Sequence, residues 1–257
     1  MHKLLIIFFL LFCSILIFAR QSSANEISSN ATSQVNLTNN GSGEGDPNIT
    51  VKEGITLLND SQNSIVKGYG SDGIEDADII IESGAKIQGK DNVIMIRMSD
   101  NVTITNSGSI ISVRSKAINM ASAQNTTINN NVGATITSLN NVISGEEING
   151  DSEAVENTSI NNSGTMYSDT ARVVNLFSGA DTATIKNNSS GVMYNTNTNE
   201  VIRIGADSTI TNSGTIQNRN SPDNNSILTE GNNNTIILKN KSILVGTIDA
   251  GSTTGNT

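Results

Sequence analysis

Residues 102–110 read VTITNSGSI and residues 208–216 read STITNSGTI. Degenerate copies stand between them: TTINNNVGATI at 126–136, TSINNSGTM at 158–166 and ATIKNNSSGVM at 183–193. A chain that repeats one phrase in this way is built from like units, each stacked on the last. Aligned on glycine, the copies place Gly84, Gly108, Gly133, Gly164, Gly191 and Gly214 at intervals of 24, 25, 31, 27 and 23 residues, a mean of 26. An apolar, polar, apolar triplet falls between these glycines, at Ile96-Arg97-Met98, Ile118-Asn119-Met120, Val174-Asn175-Leu176 and Ile202-Arg203-Ile204. Each period therefore holds three short strand-like pieces.

Composition points to the same class. The polar residues are mostly Asn, Ser and Thr, poor helix formers, and the apolar ones are largely Ile and Val, which favour strands. Beyond the first 24 residues no window sustains the i, i+3, i+4, i+7 apolar spacing of a helix. The expected fold is all-β, a right-handed parallel β-helix with about three strands per coil of roughly 26 residues. Adjacent coils lie ~4.8 Å apart, so equivalent positions stack like on like. Ile104, Ile128, Ile160, Ile185 and Ile210 are expected to form one interior column, and Ile110, Ile136, Met166, Met193 and Ile216 another.

The polar part of the phrase belongs at a corner. Asn106, Asn131, Asn162 and Asn212 each stand two residues before a glycine, where the chain turns between strands. Asn tolerates left-handed backbone, and its amide both donates and accepts, so stacked copies can bond along a ladder. The ladder is expected to break at Ser189, where two extra residues separate Ile185 from Gly191. Glycine follows because the corner leaves no room for a Cβ or needs positive φ. Pro47 and Pro222 avoid every expected strand, as stacked pairing demands.

The first 24 residues are a separate object. Lys3 supplies charge, positions 4–19 are almost wholly apolar, and Ser22-Ser23-Ala24 precedes Asn25, the pattern of a cleaved secretory signal. A retained signal anchor is the alternative, although these 16 apolar-run residues are fewer than the ~20 a span needs. The chain then divides into a polar, disordered lead at 25–47, an entry or cap region at 48–76, and coils from 77 to 257. Cleavage removes the only Cys (Cys13), the only His (His2) and four of five Phe. It leaves 13 basic residues against 24 acidic ones, a formal charge of −11 that repels nucleic acid.

Runs of T-I-T-N-S-G-x-I separated by V-I-R-I-like pieces, behind a signal peptide, resemble the passenger domains of bacterial autotransporters, the type V secreted adhesins. The stretch NNTIILKNKSILVGTIDAGSTTGNT at 233–257 resembles passenger segments that run toward a C-terminal translocator. The resemblance spans about 77–257 and names no catalytic residue. It implies export through the Sec machinery, a surface or host ligand of unstated kind, and a membrane link only through a translocator barrel. No aromatic-girdled alternating segments of such a barrel are present in the sequence. The expected product is thus a passenger fragment, periplasmic as this chain stands and at the cell surface in its full-length parent, with a structural or adhesive display role. A β-helix polysaccharide lyase or hydrolase, and a nonfunctional remnant of a split gene, are the alternatives.

Catalytic chemistry finds little to work with. Gly150-Asp151-Ser152 resembles the G-D-S of some serine hydrolases, but the processed chain has no His to serve as base. Zinc and haem sites lack ligands for the same reason, so no enzyme activity and no cofactor are expected. Calcium is the one cation the oxygen-rich sequence could support: Asp72, Glu75, Asp76 and Asp78 cluster, as do Glu146, Glu147, Asp151, Glu153 and Glu156, though without EF-hand spacing. Solvated loops are the plainer reading of both groups.

Overall fold

The computed structural model describes residues 25–32, 35–37, 47–60, 64–68, 74–145, 155–176, 180–251 and 254–257. The signal segment 1–24, Asp72, the Gly150-Asp151-Ser152 triplet and Glu146, Glu147 and Glu153 lie outside them.

Each copy of the phrase makes two four-residue strands that meet at a corner, such as Thr103–Asn106 and Ser109–Ser112. Their burial alternates, with Ile104, Asn106, Ile110 and Ser112 turned inward and the residues between them half-exposed. A third, shorter strand completes the coil, here Ile118–Asn119. Stacked coils give three parallel sheets of nine, eight and nine strands. The first sheet runs from Asn25–Ile27 through Thr103–Asn106 and Thr209–Asn212 to Thr235–Leu238. The second runs from Thr56–Asn59 to Ile243–Val245, and the third from Val35–Leu37 to Thr247–Asp249. No helix occurs among the described residues.

Register confirms both interior columns. Ile104, Ile128, Ile160, Ile185 and Ile210 pair in succession on the first sheet, extended by Ile79 before and Ile236 after them. Ile110, Ile136, Met166, Met193 and Ile216 do so on the second, extended by Leu57, Ile87 and Leu244. Along the first column the spacing is 25, 24, 32, 25, 25 and 26 residues from Ile79 to Ile236. Among the described residues the buried apolar side chains are those of Ile, Val, Leu, Met and Ala. The β-branched ones, with few rotamers, stack well upon themselves. Each fully buried Ile contributes about 1.5–3 kcal/mol relative to exposure.

Three expectations are corrected. On the third sheet Ile118 pairs with Ile94, so the unit equivalent to Ile118-Asn119-Met120 is Ile94-Met95-Ile96, and Ile96-Arg97-Met98 was read two residues late. The stretch 25–47, expected as a disordered lead, contains Asn25–Ile27 paired with Ile49–Val51 and Val35–Leu37 paired with Val66–Gly68. The stretch 48–76, expected as a cap, is itself a coil in register with the next, Ile49 beside Ile79, Leu57 beside Ile87 and Val66 beside Ile94. These early coils keep the inward apolar residues but lack the N-S-G phrase by which coils were recognised.

Candidate functional site: three polar corners and the surfaces between them

The corner from first to second sheet carries an interior column of asparagine amides. The Nδ2 of Asn106 donates to Asn130 Oδ1 at 2.9 Å, Asn130 to Asn162 at 2.8 Å, Asn162 to Asn187 at 2.8 Å and Asn187 to Asn212 at 2.9 Å. The second hydrogen of each amide goes to a carbonyl at the start of the next coil's second-sheet strand, Thr135, Thr165, Val192, Thr215 and Ile243 in turn. All five residues are at most 1% exposed. Burying such groups without partners would cost a few kcal/mol each, and the column removes that cost by pairing them with one another. It spans five coils, between Ile81 beside Asn106 and Leu238 beside Asn212.

Two positions differ from the expected ladder. Asn130, not Asn131, occupies the column; Asn131 is exposed and donates to Ser107 Oγ at 2.8 Å. Asn187 fills the level where a gap was expected at Ser189. The cause is that corners come in two lengths. Ser107-Gly108, Ser163-Gly164 and Ser213-Gly214 turn in two residues, whereas 82–85, 131–134 and 188–191 take four. Counting back from glycine therefore lands on the wrong residue in a long corner.

The glycines divide accordingly. Gly84 and Gly133 sit third in long corners with φ of 74° and 80°, a left-handed conformation. Gly108, Gly164 and Gly214 sit in short corners, where a Cβ would run into the carbonyl oxygens of the preceding long corner: Ala85 and Glu82, Ala134 and Asn131, Gly191 and Asn188. Gly191, last in its long corner, lacks that room as well, against the Asn187 side chain and the Asn162 carbonyl.

The other two corners hold columns that the repeat phrase did not reveal. Between second and third sheets, Ser112, Ser138, Ser168, Asn195 and Asn218 are buried and donate to loop carbonyls, including Ser112 to Asp91 at 3.1 Å and Ser168 to Asn140 at 2.8 Å. Their signal in the sequence is a Ser or Asn closing each second strand, six to eight residues after the column Asn. Between third and first sheets runs an exposed left-handed column: Asp76, Asn101, Asn125, Asn157, Thr182, Asp207 and Asn233, with φ between 48° and 59°. Here Asn101 donates to Asp76 at 2.5 Å, Asn157 to Asn125 at 3.1 Å and Asn233 to Asp207 at 3.0 Å.

Of the calcium candidates, Asp76 stands in this column, with Glu75 and Asp78 beside it in the chain. Asp76 accepts from Asn101, Glu75 bridges to Asp100 through the backbone, and Asp78 is exposed. Among the described residues no three metal-binding side chains converge.

The outer faces are polar and spent on short-range contacts. On the second sheet Tyr167 and Tyr194 stack with ring centroids 4.7 Å apart, and the Arg219 guanidinium lies 3.4 Å from the Tyr194 ring centre. Partial burial holds the Tyr167 hydroxyl above the usual tyrosine range. On the third sheet Arg203 pairs with Glu230, while Arg97 belongs to no equivalent level. Asn175, the polar member of its triplet, is only 4% exposed. Lys52 and Glu82 form a 2.7 Å pair between coils, and their hydrogen bond lowers the Glu82 pKa and raises that of Lys52. The chain matches no protein-family model, no curated protein and no solved structure.

Proposed function

We propose that the chain is an exported passenger-like stalk that displays loops along one edge. The observation that carries this reading is where the coils vary. Every first-to-second corner from residue 52 onward takes two or four residues. The third-to-first connections range from four residues, 205–208, to thirteen, 146–158. The second-to-third connections take one to six residues, so the widest variation falls on the third-to-first edge and presents its differences in a line, which suits recognition by loops on a rigid support.

Two further features favour export. Residues 25–257 contain no Cys, so no disulfide obstructs threading through a secretion pore, and each coil can fold on the one before it as the chain emerges. The segment 1–24 supplies the signal for Sec-dependent passage, with Asn25 as the new amino terminus.

The test is expression of the complete chain in a Gram-negative host, followed by fractionation and amino-terminal sequencing. A periplasmic product beginning at Asn25 is expected. Cytoplasmic product with residues 1–24 intact would overturn the reading.

A further inference from the structure

We propose that the second-to-third corner at Lys90 and Arg114 binds an acidic saccharide. A cleft of about 250 Å³ opens there, lined by Lys90, Asp91, Arg114 and Ser115 from two successive coils. It is smaller than the ~300–1,000 Å³ pockets of larger ligands and suits a single sugar unit of a longer chain. Residues 83–116 carry five cations and two acidic residues, in a protein of formal charge −9.

The cleft is built rather than accidental. Ser112, 3% exposed, donates to the Asp91 carbonyl at 3.1 Å and accepts from the Ser115 amide at 3.1 Å. Ser115 Oγ in turn donates to Asn92 Oδ1 at 3.2 Å. The two loops are thereby fixed against each other before any ligand arrives. Arg114 is exposed and has no ion pair or hydrogen bond among the described residues. Lys90 has only a 3.9 Å contact with Asp60, itself 94% exposed, a pairing too long and too solvated to hold it. In the next coil Leu139 and Asn140 follow the equivalent strand, so the paired cations are particular to this level.

The four side chains name the ligand class together. Arg114 presents a planar fork suited to a carboxylate or sulfate, with Lys90 as a second charge beside it. Asp91 would repel a bare anion, but it accepts hydrogen bonds from neighbouring hydroxyls, as does Ser115. A group carrying an anion next to hydroxyls satisfies all four. The cleft has no aromatic residue in its lining for base stacking, which sets it apart from a nucleic-acid site. The inference holds whether or not the chain is exported, since it concerns the folded chain alone.

The experiment is a binding titration of the purified chain with three probes: a sulfated, uronate-containing hexasaccharide, a neutral glucose hexasaccharide, and sodium sulfate. Saturable binding of the acidic hexasaccharide alone is expected. Arg114→Gln is expected to weaken it about ten- to a hundredfold, the loss of a charge-assisted contact. Asp91→Asn is expected to weaken saccharide binding while improving that of sulfate. Lys239→Gln, at an exposed cation several coils away, is expected to change nothing. Equal losses from Lys239→Gln and Arg114→Gln, indifference to Arg114→Gln, or sulfate binding as tight as the saccharide's would each overturn the proposal.

Discussion

At the scale of one residue, the interior amides of the first corner act as a group. Asn130 donates to Asn162, accepts from Asn106 and reaches the Thr165 carbonyl. Asn130→Ala strands two buried neighbours, so a loss of ~1–3 kcal/mol is expected. Asn131→Ala removes one exposed contact to Ser107 and is expected to change stability by ~0.5 kcal/mol or less. Chemical unfolding of the two variants in parallel checks the register, because adjacent positions of the same residue type differ only in where they point. Equal losses would return the column to Asn131.

At the scale of the corner, two glycines of the same repeat are needed for different reasons. Gly133 needs left-handed backbone, which Asn also tolerates, so Gly133→Asn is expected to cost under about 1 kcal/mol. Gly164 needs empty space against the Ala134 and Asn131 carbonyls, so Gly164→Asn is expected to cost about 3 kcal/mol or more, or to prevent folding. Thermal unfolding of the pair would show it, and similar costs would mean the short corner has slack. These corners also mark what could be read in the sequence. The columns through Ile104 and Ile110 were legible because strands alternate strictly and stacking repeats them. Corner length was not, since Ser107-Gly108 and Asn131-Val132-Gly133-Ala134 both read as polar residues near a glycine. The column of Ser112, Ser138 and Ser168 escaped notice because serine is common throughout this composition. The cleft at Lys90 and Arg114 arises only when strands 23 residues apart are stacked, and no local motif announces it.

At the scale of the whole molecule, a stack in which each coil touches only its neighbours loses stability locally. The Lys52–Glu82 pair is a case in point. Its hydrogen bond lowers the folded Glu82 pKa, so its contribution is present above the unfolded value and fades as pH falls through the folded one. Both side chains are about a third exposed, 37% and 32%, so solvent screening keeps the effect modest and it weakens with salt. Protection of the Ile49–Val51 amides against hydrogen exchange, relative to the intrinsic rate at each pH, is expected to fall on acidification while that of Thr184–Asn187 does not. Glu82→Gln is expected to remove the difference, and a uniform loss of protection along the stack would count against local opening.

The alternation of corner lengths reaches further than packing. From residue 82 onward long and short corners take turns, at 82–85, 107–108, 131–134, 163–164, 188–191, 213–214 and 239–242. The closest copies of the opening phrase, at 102–110, 158–166 and 208–216, all carry the short form and stand two coils apart. The unit that matches itself is thus a pair of coils, and adding or removing a pair leaves the alternation of corner lengths intact. Gain of a single coil would set two corners of one length side by side, an arrangement seen here only for the long form, at 52–55 against 82–85.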